Sequence, residues 1–160
     1  MFKKIILITL LFGIILSQDK QKVVLITGTA LGIGKSTAEY LIDKGHIVYG
    51  GDILIEENLY LNDIGGTALE MDVTNQNHID NAVKKIISEQ GRIDVLVNNA
   101  GLGVYGAIED VSMEDIYYQY DVNLFGLARV TKAVLPYMRE KESGTIINIS
   151  SVLGETYGPL

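Results

Sequence analysis

Five short apolar runs alternate with helical patterns from residue 22 onwards, and this alternation limits the possible folds more than any other feature of the chain. The first run, at residues 23–27, is apolar and rich in β-branched residues, which is typical of a strand buried on both faces of a sheet. The clearest helix, at residues 77–90, repeats apolar side chains along one face. Regular alternation with short connections predicts an α/β fold, a doubly wound parallel sheet of about five strands with helices on both faces. The predicted strands are residues 23–27, 46–50, 67–71, 93–97 and 145–149, and the predicted helices are residues 36–44, 56–63, 77–90 and 112–140.

The composition allows one domain of this kind and excludes several other classes of protein. At 160 residues, with no internal repeat or linker after residue 22, the chain is one domain in length. The 13 Lys and Arg residues are outnumbered by 20 Asp and Glu residues, and the net charge of −7 argues against a nucleic-acid partner. The chain has no cysteine, so disulfides, thiolate metal sites and cysteine nucleophiles are excluded. Two histidines do not suffice for a multi-histidine centre, and we predict no metal site.

Residues 1–21 differ in composition from the rest of the chain. Lys3 and Lys4 precede an apolar run at residues 5–16, and the chain turns polar at Ser17. This pattern is typical of a secretory signal peptide, and the run is shorter than the roughly 20 apolar residues that span a hydrocarbon core. We expect a cleaved signal peptide, and hence the secretory pathway or endoplasmic reticulum. An uncleaved signal anchor that associates with a membrane is the main alternative, and an additional strand or helix of the fold is the third.

A glycine-rich loop at residues 27–34 joins the first predicted strand to the first predicted helix. In that position Gly28 permits a tight turn, Gly32 lets the backbone approach a diphosphate, and Gly34 allows close packing of helix on strand. The N–H groups and the positive end of the helix then face the phosphates. The pattern predicts a Rossmann-like dinucleotide site, while a glycine turn without a ligand is the alternative. The candidate cofactor-binding residues of this loop are Gly28, Thr29, Leu31, Gly32, Ile33 and Gly34.

Asp52, at the end of the second predicted strand, indicates which dinucleotide binds. A carboxylate in this region accepts hydrogen bonds from the adenosine ribose hydroxyls, and it would repel the additional phosphate of NADP. Leu31 precedes Gly32 where a basic side chain would favour that phosphate, and the nearby cation Lys35 lies beyond the last glycine. We therefore predict NAD as the cofactor in preference to NADP. The alternative is that Asp52 only caps the turn between the strand and the following helix.

Four further motifs follow the glycine loop along the chain. They are Asp72-Val73, Asn98-Asn99-Ala100-Gly101, Asp121-Val122-Asn123-Leu124 and Ile147-Asn148-Ile149-Ser150-Ser151. In this order and at this spacing, the five motifs together resemble those of the short-chain dehydrogenase/reductase family, and the resemblance covers residues 22–160. A coincidence of five motifs is far more specific than any one of them.

The resemblance implies hydride transfer between NAD(P) and a small-molecule alcohol or carbonyl substrate. By resemblance, Asp72 binds the adenine amino group, Asn123 belongs to a proton relay, and Ser151 hydrogen-bonds the substrate oxygen. The turn at residues 98–101 would brace the sheet beside the cofactor, and the helix at residues 112–140 would form a homo-oligomer interface. A membrane-directed start favours a lipophilic alcohol or ketone, again by analogy. The cofactor-binding residues that the resemblance adds are Asp72, Val73, Asn99, Ala100 and Gly101.

The chain departs from the family pattern at its end. The family's catalytic Tyr-x-x-x-Lys pair is expected about a dozen residues after Ser151, and the sequence stops at Leu160. Tyr157 has no lysine after it, and we interpret it as a wall of the substrate pocket rather than a substitute. We expect residues 22–160 to be a C-terminally truncated NAD(P)-binding Rossmann domain of a longer oxidoreductase, inactive by itself. A non-catalytic NAD-binding module and a remnant that does not fold are the alternatives.

Overall fold

The computed structural model describes residues 20–151. Most of the predicted signal segment, and also Tyr157, lie outside the described residues. None of the helices within this range combines the length and hydropathy that crossing a membrane requires.

Five parallel strands form one sheet, as the alternating pattern predicted. The strands are β1 (Val23–Thr27), β2 (Ile47–Asp52), β3 (Thr67–Glu70), β4 (Val95–Asn98) and β5 (Thr145–Asn148). Their order across the sheet is β3-β2-β1-β4-β5, so β1 is central and the direction of winding changes between β1 and β4. In the register of the sheet, Leu25 of β1 pairs with Tyr49 of β2 on one side and with Leu96 of β4 on the other. The arrangement is the Rossmann-like α/β sheet that the sequence predicted.

The helices lie between the strands, and their limits differ from the prediction in three places. They are α1 (Gly32–Asp43), α2 (Ile55–Asn58), α3 (Tyr60–Asp63), α4 (Gln76–Gln90), α5 (Met113–Tyr120) and α6 (Leu127–Glu140). Helix α1 begins before its predicted start at Ser36, so that two of the loop glycines belong to its first turn. The predicted helix at residues 56–63 is divided into α2 and α3 at Leu59. A π-helical segment, Asp121–Gly126, interrupts the predicted helix at residues 112–140.

Two contacts accompany the π-helical segment. At its start, the Arg129 guanidinium donates hydrogen bonds to the Asp121 carbonyl oxygen at 3.4 Å and to the Asp121 carboxylate at 2.6 Å. At its end, Gly126 lies against Val73, where a Cβ atom would come within 2.6 Å of Val73 Cγ2. Insertion of a side chain into the hydrogen bonds of a helix interrupts its regular pattern. Because Gly126 has no side chain, the helix can pass close to Val73.

Helices pack on both faces of the sheet around β1, which confirms the doubly wound arrangement. Alternate residues of β1 point to opposite faces, and residues 23–26 are at most 2% exposed. Leu25 belongs to a core that includes α4 and α6, whereas Ile26 packs on the other face with Ala38 of α1 and Leu61 of α3. The buried residues of the apolar stripe on α4 are Ile79, Ala82, Val83 and Ile86.

Candidate functional site

The glycine loop turns sharply from β1 into α1, and its three glycines have different roles in that turn. Gly28 has a φ of +75°, and a Cβ there would come within 2.9 Å of Ala100 Cα. Gly34 leaves no room for a Cβ, which would collide with the carbonyl oxygen of Gly28. Gly32 has a φ of +57° and no neighbouring atom within 4 Å of a Cβ position, so its outer side faces open space. A ligand can approach a backbone without side chains closely at this point.

The N-terminus of α1 is not capped by any described side chain. Leu31 occupies the N-cap position in extended backbone, with φ −141° and ψ 169°, and the first turn holds no acidic residue. Two other helices differ, because side-chain oxygens of Asn75 and Ser112 cap α4 and α5. The first N–H groups of a helix need an acceptor, and the helix dipole adds positive potential there. The start of α1 is therefore suited to an anionic group of a ligand.

Asp52 ends β2 beside the glycine loop. Its Oδ2 accepts a hydrogen bond from the Ala30 N–H at 2.8 Å, and its Oδ1 accepts one from the Leu54 N–H at 2.9 Å. The second of these bonds is the turn cap that the sequence left open as an alternative. Each carboxylate oxygen retains a further lone pair, and Asp52 is only half-buried. The carboxylate is therefore able to accept hydrogen bonds from a ligand as well.

A groove crosses the carboxyl ends of β1, β2 and β4, and it consists of two adjoining depressions. Both depressions are lined by Gly28, Asp52, Ala100 and Gly101. Ligands of open α/β sheets bind in this place, where the direction of winding changes. The structure brings most of the expected cofactor-binding residues together along this groove. Those that line it are Gly28, Leu31, Gly32, Ile33, Asp52, Asp72, Val73, Asn99, Ala100 and Gly101.

Two of the expected cofactor-binding residues do not line the groove. Gly34 is buried in the contact of α1 with the loop. Thr29 is fully buried, and its Oγ1 donates a hydrogen bond to Asn58 Oδ1 at 2.8 Å. The Thr29 side chain is therefore not directed toward a ligand in the groove, because its hydroxyl is hydrogen-bonded to Asn58.

Asp72 and Val73 lie at the wall of the groove after β3. Asp72 Oδ1 accepts hydrogen bonds from the N–H and the hydroxyl of Thr74, both at 2.7 Å. The Asp72 N–H donates to Nδ1 of His78 at 3.4 Å. Asp72 Oδ2 has no donor among residues 20–151, so it is available as an acceptor for an amino group. Val73 is buried against Gly126 and joins the groove to the core.

The turn at residues 98–101 is bound tightly to the end of β1. Thr27 Oγ1 accepts hydrogen bonds from the N–H groups of Asn99 and Ala100, both at 3.0 Å. Asn99 Nδ2 donates to the carbonyl oxygens of Thr27 and Gly28, both at 2.9 Å. These four bonds join β1 and β4 at the floor of the groove.

Asn98 continues this connection toward β5. Its Nδ2 donates hydrogen bonds to Asn148 Oδ1 at 2.9 Å and to Thr131 Oγ1 of α6 at 3.0 Å. Asn98 is buried, and its Oδ1 has no partner within the described part of the chain. The Asn98 amide therefore links β4, which leads into the turn at residues 98–101, to β5, which leads to Ser151.

Asn123 and Ser151, the two expected catalytic residues, lie on different elements. Asn123 belongs to the π-helical segment, where its Oδ1 accepts from the Leu102 N–H at 2.9 Å and its Nδ2 donates to the Leu102 carbonyl at 2.8 Å. Both polar atoms of the Asn123 side chain thus support the loop after β4. Ser151 is exposed beyond the carboxyl end of β5, at the same edge of the sheet as the groove.

Sequence reasoning missed three polar residues that hold the loops around the groove. Asn58 and Tyr60 bind Thr29, and Gln119 Oε1 accepts a hydrogen bond from the Val104 N–H at 2.6 Å. Each belongs to a short or amphipathic helical segment, where polar residues usually face solvent. No signal in the sequence distinguishes them, because their partners are distant along the chain.

Comparison with known families agrees with this geometry. The family model described as short chain dehydrogenase matches residues 22–160. The chain belongs to the short-chain dehydrogenase family. It spans about half the length of the curated family members that it matches, from 48% to 60%.

Two named reductases and one solved structure illustrate the similarity. The 3-ketodihydrosphingosine reductase of Bacteroides thetaiotaomicron is 49% identical over 134 residues, which are 83% of this chain and 48% of that protein. The 3-oxoacyl-(acyl-carrier-protein) reductase FabG of Thermotoga maritima is 41% identical over 140 residues, 83% of this chain and 56% of that protein. A short-chain dehydrogenase from Streptomyces avermitilis superposes with a TM-score of 0.79 at 36% identity, covering 86% of this chain and 52% of that one.

Short-chain dehydrogenases generally bind NAD(P), and the groove of this member fits such a cofactor. The uncapped start of α1 matches the charge of a diphosphate, and the open side of Gly32 gives it room. Asp52 and Asp72 add carboxylate oxygens that can accept from ribose hydroxyls and from an amino group. The chemistry of the donors and acceptors along the groove therefore corresponds to that of a dinucleotide.

Proposed function

We propose that this chain is the dinucleotide-binding part of an NAD(P)-dependent oxidoreductase, and that the whole protein transfers a hydride between the nicotinamide and an alcohol/carbonyl substrate. The observation that carries the proposal is the uncapped N-terminus of α1, which opens onto a groove with Asp52 on its wall. A bound NAD(P) supplies the hydride chemistry, and the protein supplies orientation and electrostatics.

The polar groups in and beside the groove have defined tasks in this proposal. The N–H groups at the start of α1 bind the diphosphate, Asp52 accepts from the ribose hydroxyls, and Asp72 accepts from the adenine amino group. Asn123 holds the loop at Leu102 against the groove through both polar atoms of its side chain, and we propose that it belongs to the proton relay. Ser151 donates a hydrogen bond to the substrate oxygen, where negative charge develops in the transition state.

We propose NAD rather than NADP as the preferred cofactor. Asp52 places a negative charge beside the ribose site, and no lysine or arginine lines the groove within residues 20–151. Lys35, the cation nearest in sequence, has its Nζ 4.4 Å from the centre of the Tyr60 ring. An additional phosphate would meet repulsion that nothing in the described groove offsets.

For the substrate we propose an aliphatic 3-keto compound or the matching alcohol. Two of the matched relatives are named as reductases of 3-keto or 3-oxo compounds, one a sphingoid base and one an acyl group on a carrier protein. Such a substrate also agrees with the lipophilic alcohol or ketone expected from the apolar start of the chain.

Two further proposals concern the whole protein. The helical region at residues 113–140 exposes aromatic side chains, among them Tyr117 at 67% and Tyr120 at 54%, and we propose that it forms a homo-oligomer interface. We also propose that residues 1–21 direct the protein to the secretory pathway as a cleaved signal peptide, with a membrane anchor as the second possibility.

Titration with NADH and NADPH tests the proposed function in the full-length protein. We expect NADH to bind, and Asp52→Asn to raise the Kd of NADH about tenfold while leaving that of NADPH nearly unchanged. Asp43→Asn, an exposed aspartate at the end of α1, is the matched control and should bind NADH like the wild type.

The outcomes separate the parts of the proposal. If the wild-type protein does not bind NADH or NADPH, the dinucleotide site is wrong. If Asp52→Asn binds NADH as well as the wild type does, the preference for NAD is wrong. If NADH binds and no 3-keto compound causes its oxidation, the proposed substrate is wrong. If no alcohol or carbonyl compound supports hydride transfer, the alternative of a non-catalytic NAD-binding module is favoured.

A further inference from the structure

A buried cluster of hydrogen bonds connects the glycine loop to the segment that follows β2. Asn58 of α2 is fully buried, its Nδ2 donates to the Gly50 carbonyl at 2.8 Å, and its Oδ1 accepts from Thr29 Oγ1 at 2.8 Å. Burial of an amide is unfavourable unless its polar atoms are hydrogen-bonded. These two bonds therefore fix Asn58 in place. A Cβ at Gly50 would collide with Thr29 Oγ1, so the glycine in β2 makes room for the threonine.

Tyr60 holds the backbone of the same threonine. Its hydroxyl donates a hydrogen bond to the Thr29 carbonyl oxygen at 3.0 Å, and Lys35 Nζ lies 4.4 Å from the centre of its ring. Burial, and then the negative charges of Glu39 and Asp52, raise the pKa of Tyr60 to about 12. The hydroxyl therefore keeps its proton, and remains a donor to Thr29, throughout the neutral pH range.

The peptide unit between Thr29 and Ala30 is thereby held at both ends. Its carbonyl oxygen accepts from Tyr60, and its N–H donates to Asp52 Oδ2 at 2.8 Å. A trans peptide is planar with its C=O and N–H pointing in opposite directions, so fixing both directions fixes the plane. The chain continues from Ala30 into the start of α1. Only Ala30 and Leu31 separate this peptide from Gly32, so its orientation contributes to the direction in which the N–H groups from Gly32 onwards point.

We infer that Thr29, Asn58 and Tyr60 form a clamp on the glycine loop and are positioning residues for the dinucleotide: they orient the Thr29–Ala30 peptide and so align the α1 N–H groups with the diphosphate. The inference rests on the proposed function, because it assigns the clamp to the same groove. None of the three residues lines the groove, so the clamp acts through the loop rather than by touching the cofactor.

Substitutions at Thr29 test the clamp in the full-length protein. Thr29→Val is nearly isosteric and removes the hydroxyl that donates a hydrogen bond to Asn58, whereas Thr29→Ser retains this hydroxyl. We expect Thr29→Val to raise the Kd of NADH about tenfold and the Kd of adenosine, which has no phosphate, less than about twofold. Thr29→Ser should restore the Kd of NADH to within about twofold of the wild type. A purely structural role would lower the folded fraction and leave both Kd values of the folded protein unchanged.

A second pair of variants applies the test from the other side of the loop. Tyr60→Phe removes only the hydroxyl that donates a hydrogen bond to the Thr29 carbonyl oxygen. We expect it to raise the Kd of NADH about fivefold. Tyr40→Phe is the matched control, because Tyr40 is 61% exposed on α1 and also has a lysine over its ring, Lys44 at 5.2 Å. Its Kd should equal that of the wild type. This pair remains decisive if Thr29→Val fails to fold.

Three results would overturn the clamp. A wild-type Kd for NADH in Tyr60→Phe, or in folded Thr29→Val, would show that the loop is positioned without it. An equal loss of affinity for NADH and adenosine would indicate general damage to the fold. Absence of NADH binding by the wild-type protein would instead contradict the proposed function, and the clamp, which rests on that function, would be wrong as well.

Discussion

Gly32 and Gly34 lie in the same turn, yet a methyl group has different surroundings at the two positions. At Gly34 it would collide with the Gly28 carbonyl, whereas at Gly32 it would meet only open space. We expect Gly34→Ala to lower the free energy of unfolding by roughly 2 to 3 kcal/mol. Gly32→Ala should lower it by only about 1 kcal/mol, the strain of a φ of +57° for alanine, and should chiefly weaken NADH binding.

Urea unfolding and NADH titration of both alanine variants measure these effects. The assignment of Gly32 to the ligand would be wrong if Gly32→Ala bound NADH with the wild-type Kd. The assignment of Gly34 to helix contact would be wrong if Gly34→Ala were as stable as the wild type.

Asp94 makes the stability of the domain depend on pH. Burial alone would raise the pKa of Asp94, but hydrogen bonds from the Val23 N–H at 2.7 Å and from Arg92 Nε at 2.9 Å outweigh it and lower the pKa. A carboxylate with a lowered pKa in the folded state stabilises the protein above its ordinary pKa, and this stabilisation is lost as the pH falls through the folded-state pKa.

We therefore expect Asp94→Asn to lower the free energy of unfolding by about 1.5 kcal/mol at pH 7. The difference from the wild type should narrow below about pH 4. Urea unfolding at a series of pH values checks this, with the exposed Asp110→Asn as control. A difference that stayed constant to pH 3 would contradict the assigned role of the Asp94 charge.

At the residue scale, motifs predicted most of the residues that line the groove but not what supports them. Thr29 was expected to bind the cofactor because of its place in the loop, and its hydroxyl is instead taken by Asn58, 29 residues away. A partner at that distance, on a four-residue helix, leaves no periodic trace in the sequence. The turn cap at Asp52 was foreseen as an alternative because Leu54 is close in sequence.

At the element scale, a substitution at the uncapped start of α1 should change the stability of the protein and its affinity for NADH in opposite directions. Leu31 occupies the N-cap and is 62% exposed, so a polar side chain there would not disturb the core. We expect Leu31→Asp to raise the free energy of unfolding without cofactor by about 1 kcal/mol, because aspartate caps the helix and complements its dipole. The same carboxylate should weaken NADH binding more than about tenfold by occupying and repelling the diphosphate site.

Leu31→Asn provides the matched control for this prediction. Asparagine caps the helix without a charge, so it should stabilise the protein and weaken NADH binding less than aspartate does. Thermal unfolding and NADH titration measure both quantities. A Leu31→Asp protein that gained stability and kept the wild-type Kd would show that the diphosphate does not bind at α1.

The limits of the elements could be predicted only where a local cause sets them. Gly91 ends α4 in the left-handed conformation, and Ser112 caps α5, as the sequence predicted. The early start of α1 was missed because glycine has a low helix propensity, which the tight turn onto β1 overrides here. The π-helical segment was missed because its contacts with Arg129 and Val73 involve residues outside the segment, which its own sequence does not reveal.

At the scale of the whole molecule, the alternation of strands and helices was sufficient to predict the fold. Residues 23–26 are buried on both faces, as their continuous apolar character indicated. The order β3-β2-β1-β4-β5 depends instead on which helices pack on which face of the sheet, so no local sequence pattern predicts it. Four of the five motifs lie at or near the carboxyl ends of strands, and parallel pairing gathers these four at one edge of the sheet. The remaining motif lies on the π-helical segment.

Backbone amide shifts on addition of NADH to the isotope-labelled full-length protein would test the central claim directly. If a diphosphate binds at the start of α1, the largest shifts will occur at Gly28, Gly32, Ile33 and Gly34, with smaller ones at Ala30 and Leu54 through Asp52. Shifts confined to other parts of the sheet, or none at saturating NADH, would contradict the account.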